Sequence, residues 1–355
     1  MKKHYQCNKK ADTPLVNYLA FNKNPKLFKN DPSFIYRCIN MAAGLRQINI
    51  AATINHFTEI PSNGAHVTVL HRPNLSLRLR YWLYQWRRMN TLVVADIDDL
   101  IFDPSCAKYS PAVSHHILPL KKVEKAFTST LKALSLVDVI TVSTTPLADK
   151  LKRLLPDKPV IVINNCVHSH WRQSGLLPTA ASSRDKVLTY MVGTRSHDYD
   201  FLEILEPVEN FLFDHPQVKL KIIGPLSVKV NCRPDQMIYR DKLPFSDYMA
   251  AVRSGWVNLM PLEQTPFNEC KSALKVIEAG YWGIPTVCSP NPDAERLIHA
   301  GAIIACNKDE WRIELERLLD DGEYTKIANG LRERTLSIAD ISQQLQPYKT
   351  DVLGL

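Results

Sequence analysis

Glycine is scarce in this chain, 12 residues in 355, and no two glycines stand two positions apart. Neither the GxGxxG dinucleotide fingerprint nor a P-loop closing on GKS or GKT can be written anywhere, which argues against a dinucleotide oxidoreductase and a P-loop NTPase. The 8 cysteines, at 7, 38, 106, 166, 232, 270, 288 and 306, form no CxxC pair. Zinc-knuckle spacing and the dense disulfide framework of a small secreted domain are therefore both missing. Nowhere do about 18 apolar residues run together. The cationic start, MKKHYQCNKKADTP, is followed by no apolar h-region. These absences predict a reduced, cytoplasmic protein that touches the inner membrane face peripherally at most. Acids are also in deficit: Lys plus Arg minus Asp plus Glu is 44 − 36 = +8, with a pI near 9.0. That balance attracts anions, whether nucleotide phosphates, anionic lipid or nucleic acid, without choosing among them.

With 45% hydrophobic and 23% charged residues the composition is ordinary for a globular protein, and the length allows two domains. Short β-branched runs alternate with helical stretches: Val16 to Phe21, a helix from Ser33 to Ile48, Ile50 to Ile54, His66 to Leu70, a helix from Leu75 to Met89, and Thr91 to Ile97. A helix over Lys121 to Leu136 precedes Val139 to Val142 and Val160 to Ile163, with the Thr145 to Leu155 helix between them carrying Pro146 in its first turn. Between Cys166 and Lys186 the pattern dissolves into Ser, Pro and small residues, a linker composition. Alternation restarts with Val187 to Met191, Val218 to Ile223, Val257 to Met260 and Thr286 to Cys288, each with a helix after it. The pattern predicts an α/β protein of two Rossmann-like doubly wound parallel-sheet domains, at 1–178 and 179–335, with 336–355 as a segment that crosses back to the first.

Open parallel sheets bind ligands at the carboxyl ends of their strands, where helix N-termini favour anions. In the second domain that rule selects Gly193-Thr194-Arg195-Ser196-His197-Asp198, a set able to hold a diphosphate or merely to cap a helix. It also selects Pro266 to Val287, where Lys271, Lys275 and Glu278 fall at i, i+4 and i+7 of one predicted helix face. There the plainer account is a solvated stripe with an internal Lys-Glu pair. In the first domain the strand Thr91 to Ile97 runs into Asp96, Asp98 and Asp99, carboxylates suited to metal binding, to base chemistry or to capping a turn. His115 and His116 fall in a loop expected on the first domain. Leu75, Leu79, Trp82, Trp86 and Met89 form a stripe among four arginines; it reads first as core packing, and otherwise as an anionic-membrane surface. No RRM, KH or helix-turn-helix signature accompanies it, so no nucleic-acid partner is expected.

Taken in order, the motifs resemble those of GT-B-fold retaining glycosyltransferases of the bacterial surface-polysaccharide, family 4-like group. Ser33-Phe34-Ile35-Tyr36-Arg37 is similar to the group's first-helix SxxYR, His71-Arg72-Pro73 to its strand ending in RP, and Ala95 to Leu100 to its DIDDL. Asp138 to Ser143 with Thr145-Pro146-Leu147, Val162 to Val167, Gly193 to Phe201, Ile223-Gly224-Pro225-Leu226 and Lys271-Ser272-Ala273-Leu274-Lys275 through Glu278-Ala279 continue the likeness, over about residues 15 to 300. The resemblance implies two domains facing across a cleft and an activated sugar donor held by Gly193, Thr194, Arg195, His197, Gly224, Lys271, Ser272, Lys275 and Glu278. Arg195 and Lys275 or Lys271 would serve the leaving diphosphate and Glu278 the ribose. It places a glycan or lipid-linked acceptor against Tyr36, Arg37, Arg72, Asp99, His115 and His116, with Asp96 and Asp98 at the reacting centre. No metal and no cofactor are implied. One departure stands out: eight positions before Glu278, where many relatives carry a second glutamate, stands Cys270.

The function expected is sugar transfer in capsule or lipopolysaccharide synthesis. A sugar-nucleotide 2-epimerase shares the architecture, and the cysteine at 270 also admits a catalytically silent glycosyltransferase-like binding subunit.

Overall fold

The computed structural model describes residues 14–61, 64–193 and 197–354. The chain divides into two compact units, one made of residues 1–108, 118–169 and 341–355, the other of 109–117 and 170–340.

The first unit holds a six-stranded, all-parallel sheet. Its strands are β1 (Leu15–Ala20), β2 (Ala51–His56), β3 (Val67–His71), β4 (Leu92–Ile97), β5 (Val139–Val142) and β6 (Val160–Val162), in the order β2-β1-β3-β4-β5-β6. Parallel strands covered on both faces need apolar side chains at nearly every position, and β3 is buried throughout. The predicted first helix is continuous but changes pitch: α-helix at Pro32–Phe34, π-helix at Ile35–Ile39, α-helix again at Asn40–Gln47. The wide turn carries Tyr36 and Arg37, and such turns concentrate where function needs a side chain re-aimed. The last segment belongs to this unit. Ile341–Pro347 lies so close to Asn40–Gln47 that a Cβ on Gly44 would stand 2.7 Å from Ile341 Cδ1. Tyr18 donates to the Tyr348 hydroxyl at 3.1 Å, and Gln344 accepts from the Asn164 amide at 2.8 Å.

The second unit repeats the architecture with β7 (Val187–Met191), β8 (Lys219–Ile223), β9 (Met237–Arg240), β10 (Val257–Met260), β11 (Thr286–Cys288) and β12 (Ala302–Ile304), all parallel, ordered β12-β11-β10-β7-β8-β9. Its core gathers Tyr190, Phe201, Phe211, Trp256 and Trp311 around the central strands. A short stretch, Tyr109–Ile117, joins this unit although strands of the first unit flank it in sequence.

Candidate functional site

In the second unit the chemistry collects around Asp200, in the helix Asp198–Leu202 that follows β7. Its carboxylate is buried, yet four donors reach it. Oδ1 accepts from the Glu263 amide at 3.0 Å and from Asn268 Nδ2 at 3.1 Å. Oδ2 faces His197 Nδ1 at 2.9 Å and Lys271 Nζ at 3.7 Å. Against the cost of burial, His197 and Lys271 hold the Asp200 carboxyl well below the usual range. His197 moves the other way. Burial lowers it to about 4, opposed by the bond to Asp200 and helped by the charges of Lys275 and Lys271, so its ring is neutral at pH 7.

Lys275 stands in the first turn of the helix Leu274–Tyr281, its ammonium 5.0 Å from the centre of the Tyr190 ring. Burial, with Lys271 beside it, brings it down to about 8 even though Asp200 and Glu278 support its charge. Glu278 is buried and accepts from the Tyr248 hydroxyl at 2.8 Å. Contrary to the prediction from its spacing, Lys271 does not share this helix. Ser272 Oγ and the Ala273 amide are both bonded to Asp293 Oδ2, at 3.2 and 2.8 Å, which delays the helix start and leaves Lys271 extended in the preceding turn. It meets its neighbours through Asp200 instead.

Gly193 lies at the end of β7, its carbonyl accepting from Lys242 Nζ at 3.3 Å. Gly224 follows β8 at φ +110, and a Cβ there would meet the Val192 carbonyl oxygen at 1.9 Å, so only glycine fits. Thr194 and Arg195, expected on the diphosphate, lie outside the described residues.

His115 was expected on the first domain; the structure puts it in the second unit. Its ring stacks on Tyr199 at 4.0 Å and its Nε2 lies 3.2 Å from Glu263 Oε2. The Nδ1 is buried without a hydrogen-bond partner among the described residues. His116, at φ 57, is exposed.

In the first unit the strand ends bring Arg37, His71, Arg72, Asp96, Asp98 and Asp99 together. Arg37, expected to face an acceptor, is turned inward. Its Nε and Nη2 clasp Asp96 at 3.1 and 2.7 Å, and its Nη1 donates to the Ile163 carbonyl at 2.5 Å and to Asn165 at 3.2 Å. Asp96 also accepts from Thr141 Oγ1 at 2.8 Å and faces His71 Nδ1 at 3.3 Å. Arg37 and His71 keep its carboxyl ionised despite burial. Asp96, expected at the reacting centre, is buried with both oxygens held by neighbouring side chains. His71 Nε2 meets Ser33 Oγ at 2.8 Å, and Ser33 Oγ donates to Asp98 Oδ2 at 2.5 Å. Asp98 Oδ1 receives Arg72 Nε at 2.6 Å, with Arg72 Nη2 3.9 Å from Asp99. Arg72 occupies the left-handed region at φ 51, a strained state that tends to gather at functional sites. Asp98, lowered by Arg72, His71 and Ser33 against its burial, is a better anchor than proton acceptor. Tyr36 is buried edge-on to His168. Cys38, His71 and Asp96 offer ligand atoms all within 4.8 Å of one another. Burial keeps the Cys38 thiol protonated and Arg37 occupies both Asp96 oxygens, a donor set unsuited to a cation.

Asp200, Glu263, Tyr248 and Ser33 escaped the sequence reading as site residues. Asp200 and Ser33 had a signal, their places within the motif after β7 and within the first-helix motif. At 270 the cysteine is buried, with Glu269 beside it exposed, while Glu263, in the loop after β10, gives its backbone amide to Asp200 and turns its carboxylate to His115.

No protein-family model matches the chain, and no curated protein does. Among solved structures it is similar to sucrose-phosphate synthase from Thermosynechococcus elongatus, with TM-score 0.64 and 12% identity over 96% of this chain and 100% of that one. It is also similar to an α-glucosyltransferase in complex with UDP and a 13-mer DNA containing an HMU base (TM-score 0.66, 10% identity, 97% of this chain and 100% of the other). A UDP-N-acetylglucosamine 2-epimerase from Listeria monocytogenes gives TM-score 0.55 and 11% identity over 96% and 98%. At such identities the likeness speaks for architecture, and with two all-parallel six-stranded sheets flanked by helices the chain has the two-domain α/β fold of the GT-B class.

Proposed function

We propose that this chain is a glycosyltransferase moving a sugar from a nucleotide-diphosphate donor to a glycan or lipid-linked acceptor, in the synthesis of a bacterial capsule or lipopolysaccharide. The observation that carries the reading is the grouping of Lys271, His197 and Lys275 about the buried Asp200, with the Lys275 ammonium held where its charge is disfavoured. A desolvated cation drawn toward neutrality is stabilised by an arriving anion, and a diphosphate offers the charge that two lysines and Arg195 can match. Glu278, oriented by Tyr248, is the acceptor this reading gives to the donor's ribose hydroxyls. Gly193, Gly224 and Ser272 are further residues this reading assigns to the donor.

During transfer the bond from anomeric carbon to phosphate oxygen breaks and its electron pair leaves with the diphosphate. The acceptor oxygen bonds to that carbon and gives its proton to the departing phosphate oxygen, with retention of configuration. Lys275, Lys271 and Arg195 meet the charge growing on the leaving group, the work a metal performs elsewhere. Arg72, fixed by Asp98 and Asp99, is the side chain we assign to the acceptor. The UDP in one structural neighbour supports a nucleotide donor.

The likeness to a 2-epimerase favours a second reading, in which the same pocket inverts C2 of the bound sugar without any acceptor. Thermal unfolding against a panel of nucleotide sugars tests the first claim: one of them raises the midpoint of the wild type and not of Lys275→Met. Incubation of that nucleotide sugar alone then separates the readings, because release of an epimerised donor identifies the epimerase. Stabilisation by none of the panel would remove both.

A further inference from the structure

We propose that the outer face of the helix Leu77–Arg88, in the first unit, docks on an anionic lipid bilayer. The helix turns Leu79, Leu83 and Trp86 into the core. Opposite them, at i, i+4, i+7 and i+11, stand Leu77, Tyr81, Tyr84 and Arg88. Leu77 is 86% exposed, Tyr81 57% and Tyr84 58%, so the apolar stripe is a surface and no part of the packing.

Charge selects the occupant. Arg78, Arg80, Arg87 and Arg88 flank the stripe, and no Asp or Glu occurs from residue 73 to residue 95. Among the described residues none of the four is paired with a carboxylate: Arg78 and Arg87 donate to the backbone carbonyls of Thr58 and Leu136, each at 2.9 Å, and Arg88 lies over the Tyr84 ring. A second copy of the same face would bring these guanidinium groups against one another. A phosphate backbone would answer the arginines and leave Leu77 in water. A bilayer answers both, taking Leu77 and the tyrosine rings at the boundary between headgroups and chains while the arginines reach anionic headgroups. The surface is independent of the donor pocket.

The test is co-sedimentation of the full chain with vesicles of phosphatidylcholine alone and of phosphatidylcholine with phosphatidylglycerol in equal parts. The wild type is expected to bind the second and hardly the first, less strongly at high salt. Arg80→Glu with Arg88→Glu should weaken binding by well over tenfold, since each basic residue near such a surface is worth roughly five-fold. Tyr81→Ser with Tyr84→Ser should weaken it even at low salt, which attachment by charge alone would not show. All four side chains are exposed, and unchanged melting curves certify the fold. Failure of the wild type to bind the anionic vesicles, or binding by both variants as strong as the wild type's, overturns the proposal. So does loss, in the arginine variant, of affinity for duplex DNA by a wild type that ignores the vesicles.

Discussion

His197 and Asp200 meet through one bond of 2.9 Å in which the ring is neutral and the carboxylate charged, and that division of charge sets how the second unit answers acid. In the folded chain His197 titrates at about 4, below its ordinary 6.5, so between those values the unfolded chain binds more protons and stability falls as pH drops from 6.5 toward 4. The loss from this group is at most about 3 kcal/mol. His197→Asn keeps a donor toward Asp200 without the titration, and its unfolding free energy should be flatter than the wild type's over that window. Parallel curves would discard the assignment.

Lys275 predicts a pH dependence for binding. In the free protein it loses its proton near 8, and an anion bound beside it restores the charge, so the protonated form binds better. Affinity for a nucleoside diphosphate, read by calorimetry, should be level with respect to this group below pH 8. Above it the affinity should decline by up to about tenfold per pH unit. Lys275→Met should lower affinity roughly 30-fold at pH 7, the order expected for a buried charge contact, and abolish the decline.

Removing one partner from the clasp between Arg37 and Asp96 leaves the other charge buried and alone. Asp96→Ala and Arg37→Met should each cost about 3–5 kcal/mol, measured by denaturant unfolding. The double variant should cost less than the two added together. Additive losses would mean that the pair is not energetically coupled.

Gly224→Ala combines a left-handed backbone with a Cβ driven into the Val192 carbonyl. The expected result is destabilisation of about 2 kcal/mol or more, or a displaced loop with weakened donor binding. A fully stable variant with wild-type affinity would show that the backbone after β8 relaxes without consequence.

Tyr248→Phe deletes the hydroxyl that orients Glu278 while keeping the ring. Stability should fall by about 1 kcal/mol, and affinity for a nucleotide should fall more than affinity for inorganic diphosphate. Equal losses for both ligands would place Glu278 away from the ribose.

Ten of the twelve strands were legible as β-branched runs bounded by turn residues, because a strand buried on both faces must be apolar along its length. The two that escaped, β9 and β12, lie at opposite edges of one sheet and are only 4 and 3 residues long. Edge strands are half-solvated and short, so Met237–Arg240 carries no apolar alternation to find. At the site, residues near one another in sequence were easy to group: Asp96 with Asp98, Lys271 with Lys275. Lys271 was placed on the wrong element because the bond from the Ala273 amide to Asp293, 20 residues on, decides where the helix begins. Asp200 with Glu263, and His115 with Tyr199, meet only after folding, across separations no local pattern encodes.

Ile341, Gln344 and Tyr348 complete the core of the first unit, although the whole of the second unit separates them from it in sequence. Residues 341–354 are needed to complete that interior, so a chain cut before Ile341 would leave Tyr18, Gly44 and Asn164 without the partners described above.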